Sequence, residues 1–261
     1  AEGLAAVTLA FVLLPSAAAV AAYPLRQRAG RGLSALLPVC AAGHAALVVW
    51  CWVDPRRFPP AGPWLAVDEP GLLFLSVTSL LFLAAAATAE ASLGRQRGVA
   101  GARAAAGGVS IACLLGFLAT MSLATVSQHF GLLWVAVEAT TLLSAPLIHH
   151  HRSQRSLEAT WKYLLLCSVG IAVALLGTYF LAAAVGPGTG AGTHLTFTGL
   201  REAELDPRWL KAAFLLLLVG YGTKMGLVPL HTWLPDAHVE APSAVSALPS
   251  GARLNGAFLA L

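Results

Sequence analysis

Two residues sit where their surroundings demand a chemical explanation, Glu138 and Lys224. Each is a lone charge inside an apolar context. Glu138 lies near the middle of FGLLWVAVEATTLLSAPLI (130–148), with Trp134 and Thr141 on its face at helical spacing. Lys224 lies in GYGTKMGLVPLHTWLPDAHVEAPSAVS (220–246), which an apolar helical pattern leads into. A charge at membrane depth is costly, faces a bundle interior rather than lipid, and marks function. Desolvation pushes a carboxyl toward its protonated form and an ammonium toward its neutral one, and an opposite charge nearby reverses both effects. A buried Glu–Lys pair is therefore a switch: together the lysine keeps its proton, and apart the proton leaves more easily. The chemistry that this pattern points to is proton relay.

Glycines flank the lysine (Gly220, Gly222, Gly226) and Pro229 follows it. Freed backbone groups are not tolerated in lipid, so the pattern predicts a helix broken where it lines a polar cavity. Two further residues are candidates for the same relay. Lys162, in LEATWKYLLLCSVG (157–170), falls about one and a half turns into its predicted helix, so a buried relay role competes with snorkelling to the surface. His231 follows Lys224 by seven positions and shares its face if the helix persists past the break. Histidine can shuttle protons near neutral pH.

Other titratable residues read as structural or solvated. His44 is a lone helix histidine. His238, with Asp236 and Glu240, reads as a capping or solvated cluster in a loop. His149, His150 and His151 are adjacent at a helix end, point in different directions and do not suit one metal ion. Glu90, near the end of its run, can reach water. Cys40, Cys51, Cys113 and Cys167 form no CxxC or Cys/His cluster and read as small packing residues. No haem, zinc or iron–sulfur site is indicated, and no resident cofactor is expected.

The elements that must position these residues are membrane helices. Of the 261 residues, 57% are hydrophobic and only 11% charged, against roughly 25% charged in a soluble protein. Apolar runs of about 20 residues recur, long enough to cross about 30 Å of hydrocarbon. They cover Leu4 to Leu25, Leu33 to Val53, Leu72 to Leu93, Ala104 to Val126, Phe130 to Ile148 and Leu157 to Val185. A seventh begins near Trp209 and meets the lysine segment, and an eighth opens near Val245. A Gly/Thr-rich loop covers 186–206.

The expected fold is an all-α polytopic bundle of about eight helices, with a broken helix near Lys224. Residues 1–126 hold four helices, and 127–261 hold the candidate relay. The first run carries its arginines (Arg26, Arg28, Arg31) after it rather than before, which favours a retained helix with its N-terminus outside over a signal peptide. The net charge of +4 is small, and the arginines lie in short loops, which suits membrane topology better than nucleic-acid binding. The last run stops partway, at Leu261, and reads as part of a longer helix.

GTKMGLVPLHTWLPDAHVEAPSAVSAL (222–248) resembles the signature of antiporter-like membrane subunits. These occur in respiratory complex I, in Mrp-type cation/proton antiporters and in hydrogenase-4 type membrane hydrogenases. WVAVEATTL (134–142) and ATWKYLLLCSVG (159–170) resemble the same family, in the same order. The wording is most similar to the hydrogenase-4 and Mrp-like branch. The resemblance implies about fourteen helices with two inverted five-helix repeats, of which this chain covers the early helices and the first repeat. It implies that Glu138 pairs with Lys224 and that Lys162 is the sixth-helix lysine.

Where complex I subunits often carry IHAA, this chain has Pro249, Ser250, Gly251 and Ala252. Ser250 and Gly251 fit the hydrogenase-4 branch better. Pro249, Ala244 and Arg253 depart from the pattern, and Pro249 is expected to bend the eighth helix.

The function implied is proton translocation by a membrane subunit of a redox complex in the cell inner membrane. Partner membrane and peripheral subunits would carry the electrons. The alternative is an Mrp-like antiporter subunit exchanging protons for a cation such as sodium. A scaffold bundle without transport is a third reading.

Overall fold

Backbone surrounded by lipid has to satisfy its own hydrogen bonds, and a helix does so within one segment. The computed structural model, which describes residues 2–25, 31–53, 61–95, 102–151, 153–185 and 195–241, is built accordingly. Its helices are α1 (Glu2–Leu25), α2 (Arg31–Val53), α3 (Glu69–Arg95), α4 (Ala102–Val126), α5 (Phe130–Ile148), α6 (Gln154–Val185), α7 (Phe197–Glu202), α8 (Pro207–Met225) and α9 (Trp233–Glu240). A 3₁₀ turn, His149–His151, links α5 to α6.

Among the described residues, six helices, α1 to α6, are long and apolar enough to cross a membrane. The chain folds as the expected all-α bundle. The expected eighth run, with Ala244, Pro249 and Arg253, lies outside the described residues. The 186–206 stretch is not all loop: Thr196 accepts from the Gly199 amide at 3.1 Å and starts the short α7.

Packing departs from chain order at two main places: α1 lies along α4, and α6 reaches past α7. Helix α4 also contacts α5, α2 pairs with α3, and α6 carries both α8 and α9. One apolar core joins α1, α2, α3 and α4 through Ala22, Leu37, Phe82 and Leu115. Another joins α5, α6 and α8 through Leu133, Val137, Ile171, Leu217 and Tyr221. Large apolar side chains such as Val39, Leu80, Val169 and Leu215 point outward, as befits a bundle whose solvent is hydrocarbon.

His44 has the structural part expected of it. Buried on α2, it places Nε2 2.8 Å from Ser122 Oγ on α4 and Nδ1 3.2 Å from Ser79 Oγ on α3. Ser122 donates its hydroxyl hydrogen to the Leu118 carbonyl at 2.8 Å, so it accepts from Nε2–H. Phe11 of α1 meets the imidazole edge-on at 5.1 Å. One side chain thus touches three neighbouring helices.

The α6–α8 contact is close because small residues face each other there. A Cβ on Gly220 would stand 2.5 Å from the Ala174 nitrogen and 2.7 Å from the Gly170 carbonyl oxygen. A Cβ on Gly170 would stand 2.7 Å from Thr223 Cβ.

At the end where α5 begins, three segments lace together. Ala66 N donates to Val126 O at 2.9 Å, Gln128 N to Trp64 O at 2.8 Å, and Phe130 N to Leu195 O at 2.9 Å. His129 sits at the centre as the N-cap of α5. Its Nδ1 accepts from the Gly131 amide at 3.1 Å, and its ring lies against Trp64 at 5.1 Å.

Two outcomes are expected. Gly220→Ala forces α6 and α8 apart at backbone contacts and costs about 1–3 kcal/mol, read as a lower midpoint in thermal unfolding of the purified protein. Partial burial pushes the His129 imidazole below its ordinary value, because desolvation disfavours the cation. Its neutral Nδ1 is also what accepts the Gly131 amide. The cap's contribution is therefore complete above the ordinary histidine pKa and is lost as pH falls through the lowered value of the folded state. Amide exchange at Gly131, followed against pH, should show protection fading on acidification. In His129→Ala it should be absent at every pH, at a cost of about 1 kcal/mol.

Candidate proton-relay site

Lys224 is held where α8 ends. Gly226 takes a left-handed φ of 76°, a conformation open to glycine at little cost. Its amide donates to Thr223 O at 3.2 Å, and the Leu227 amide reaches back to Gly222 O at 2.9 Å. These two bonds form a Schellman close, which satisfies carbonyls that the helix leaves open. Leu227 folds over Gly222, where a Cβ would stand 2.9 Å from its Cδ1. Trp233, the first residue of α9 and fully buried, donates Nε1–H to Thr223 O at 3.0 Å. The helix is thus broken over 226–232, and two of its freed carbonyls, Gly222 O and Thr223 O, are met by the turn and by α9.

The Lys224 side chain is fully buried. Its Nζ donates to the Val137 carbonyl of α5 at 3.1 Å and to Thr141 Oγ1. Thr141, itself buried, donates to Glu138 Oε2 at 3.4 Å. Glu138 Oε1 accepts from Ser168 Oγ of α6 at 3.0 Å. An ammonium, a hydroxyl, a carboxylate and a second hydroxyl therefore form one chain across α8, α5 and α6. A buried ammonium is tolerable only with such partners.

Glu138 reaches its depth through the α5–α6 register. Trp134 Nε1 donates to Ile171 O at 2.7 Å, Glu138 meets Ser168, Ser144 Oγ lies 2.8 Å from Tyr163 Oη, and His149 Nδ1 lies 3.3 Å from Ser156 Oγ. Successive pairs advance along α5 while retreating along α6, as antiparallel neighbours must. Tyr163 also stacks near Trp233, with ring centroids 5.3 Å apart.

Other candidates fall elsewhere. The burial considered for Lys162 is corrected: its side chain is 48% exposed and pairs with Glu158 at 2.7 Å and Asp236 of α9 at 3.1 Å. The inward face of α6 runs through Ser156, Ala159, Thr160, Tyr163 and Cys167, and position 162 falls off it. The shared face considered for His231 is also corrected, since the helix does not persist. His231 lies in the 226–232 turn, with Nδ1 buried and without a described hydrogen-bond partner.

Asp236, His238 and Glu240 lie on helix α9 rather than in a loop. His150 Nδ1 lies 3.2 Å from Ser110 Oγ, away from the Ser156 partner of His149. Glu90 has no described side chain. Sequence reasoning missed the hydroxyls of Ser144, Tyr163 and Ser168. The run Thr140, Thr141, Ser144 on α5 was a usable signal, being polar at helical spacing beside an acid.

The family described as NADH:quinone oxidoreductase/Mrp antiporter, TM, matches residues 127–261. A hydrogenase-4 component F homolog from Methylacidiphilum infernorum (isolate V4) is 36% identical over 205 residues, which are 77% of this chain and 43% of that protein. A chain of respiratory complex I from Thermus thermophilus superposes with a TM-score of 0.76 at 25% identity, over 97% of this chain and 52% of its own. A chain of the Mrp complex from Dietzia sp. DQ12-45-1b superposes with a TM-score of 0.81 at 22% identity, over 100% of this chain and 48% of its own. The fold is shared with both, and the chain spans about half the length of the proteins that it matches.

Replacing Trp233 by Phe keeps an aromatic ring beside Tyr163 but removes the donor to Thr223 O. The expected cost is about 1 kcal/mol for the hydrogen bond, beyond that of the smaller ring. Faster amide exchange at Gly226 and Leu227 would show that this indole holds the break closed.

Proposed function

The chain belongs to the NADH:quinone oxidoreductase/Mrp antiporter transmembrane family, and from that premise we propose that it is a proton-translocating membrane subunit of a respiratory redox complex. Its protons move through Glu138 and Lys224. The observation that carries this reading is the fully buried Lys224 ammonium, joined through Thr141 to the Glu138 carboxylate. A structural ion pair does not require a helix to be broken beside it. A proton carrier gains from the break, because small movements of the α8 end change the distance between base and acid.

Lys162 and His231 are the further proton-carrying groups of this proposal. Lys162 touches α9 through Asp236, and His231 stands in the turn between α8 and α9. The setting is the cell inner membrane, with the N-terminus outside, beside partner membrane and peripheral subunits that carry the electrons. The relationship to the hydrogenase-4 component F homolog favours the redox-linked assignment over a free-standing antiporter.

The test is proton uptake into inverted native membrane vesicles carrying Glu138→Gln or Lys224→Ala in the full-length subunit. Each should lower donor-driven uptake by at least about a hundredfold, the lower end of what loss of a positioned proton-transfer group costs, with assembly retained. Normal uptake in both variants would falsify the relay. Uptake driven by a sodium gradient, with no electron donor, would replace the redox assignment by cation/proton antiport.

A further inference from the structure

Buried threonines on helices ordinarily turn their hydroxyl back to a carbonyl one turn earlier. This chain follows the habit widely: Thr125 donates to Met121 O at 3.2 Å, Thr160 to Ser156 O at 2.6 Å, Thr178 to Ala174 O at 3.0 Å and Thr223 to Val219 O at 2.8 Å. Thr140, the immediate neighbour, donates to Val137 O at 2.7 Å. Thr141 departs from it. The carbonyl one turn back, Val137 O, receives Thr140 and Lys224 instead, and the Thr141 hydroxyl points to the Glu138 carboxylate. A hydroxyl has one hydrogen to donate and lone pairs to accept with. Here the acceptor side faces Lys224 Nζ and the donor side faces Glu138 Oε2.

We propose that Thr141 is a relay residue, whose hydroxyl carries the proton between Lys224 Nζ and Glu138 Oε2. The inference rests on the assignment of Glu138 and Lys224 as the exchanging pair. In the step, one Nζ–H bond of Lys224 breaks and a new Oγ1–H bond forms on Thr141. The original Oγ1–H bond breaks as its proton passes to Oε2. Lys224 becomes a neutral amine, Glu138 a carboxylic acid, and Thr141 remains a neutral hydroxyl. One positive and one negative charge vanish together, so nothing outside the three groups is consumed. Thr141 then holds its hydrogen on the Lys224 side and must rotate about its C–O bond before another passage. The hydroxyl both conducts and resets, and the pair need not come into direct contact to exchange.

The experiment compares Thr141→Val, Thr141→Ala and Thr141→Ser in the full-length subunit within its native complex. Valine keeps the shape and removes the hydroxyl, alanine avoids any overpacking, and serine keeps the hydroxyl. Donor-driven proton uptake should fall by at least about a hundredfold in the valine and alanine variants and stay within about twofold of the parent in the serine variant. A second readout is the infrared carboxylic-acid band identified as Glu138 by its loss in Glu138→Gln. Its rate of appearance after a pH jump should fall in the valine and alanine variants and return in the serine variant, whereas a threonine that only hydrogen-bonds the carboxylate would shift the pH at which the band appears and leave that rate unchanged.

Parent-like uptake and an unchanged rate of band appearance in the valine and alanine variants, while Glu138→Gln and Lys224→Ala abolish uptake, would overturn the Thr141 relay alone. Normal uptake in Glu138→Gln and Lys224→Ala would overturn the underlying pair as well. If the valine variant does not assemble, the alanine and serine variants decide by the same comparison.

Discussion

A primary ammonium with no access to water, inside a bundle whose outer solvent is hydrocarbon, is the constraint that the rest of this structure answers. Removing such an ion from water costs several kcal/mol even after relaxation, unless acceptors surround it. Lys224 finds the Val137 carbonyl, the Thr141 hydroxyl and, one hydrogen bond further, the Glu138 carboxylate. None of these could serve without the close approach of α8 to its neighbours. That approach rests on the bare glycine surfaces of α6 and α8, where a single methyl group would collide with backbone.

The break beside the lysine is built as carefully as the charge. An interrupted helix normally exposes carbonyls that lipid cannot solvate. Here Gly226 and Leu227 turn back to close the last turn, and the Trp233 indole adds a third donor. The indole belongs to the next helix and packs against Tyr163 of α6, so the end of α8 is pinned to the α6–α9 contact rather than left free. Lys162 adds an ion pair between the same two helices at their exposed edge. The apolar and ionic contacts of α9 therefore bear on one small stretch of backbone, residues 226–232.

Much of this was legible in the residues themselves. Run lengths located α1 to α6 and the start of α8, because crossing hydrocarbon requires about 20 apolar residues whatever the tertiary contacts. Glu138 and Lys224 stood out because charges inside such runs are rare. Gly226 and Pro229 announced the break. What sequence reasoning could not supply was rotation. In water, a helix marks its buried face by apolar periodicity, but in lipid both faces are apolar and the period disappears. For that reason Lys162 could not be placed on or off the inward face of α6, and His231 could not be placed without knowing how far the chain turns after Gly226. The Ser144 and Ser168 hydroxyls were hidden for a related reason: Ser and Thr are common in membrane helices and usually satisfy themselves against their own backbone.

The antiparallel ladder between α5 and α6 has a mechanical corollary. Trp134, Glu138, Ser144 and His149 each find a partner at a matching depth on the opposing helix. A slip of α5 by one turn, about 5.4 Å, would mismatch every rung at once. The two helices therefore behave like the halves of a zip fastener, tolerant of small tilts but resistant to sliding. The altitude of the acid within the bilayer is set by counting turns, and thermal jostling of the surrounding lipid cannot reset it.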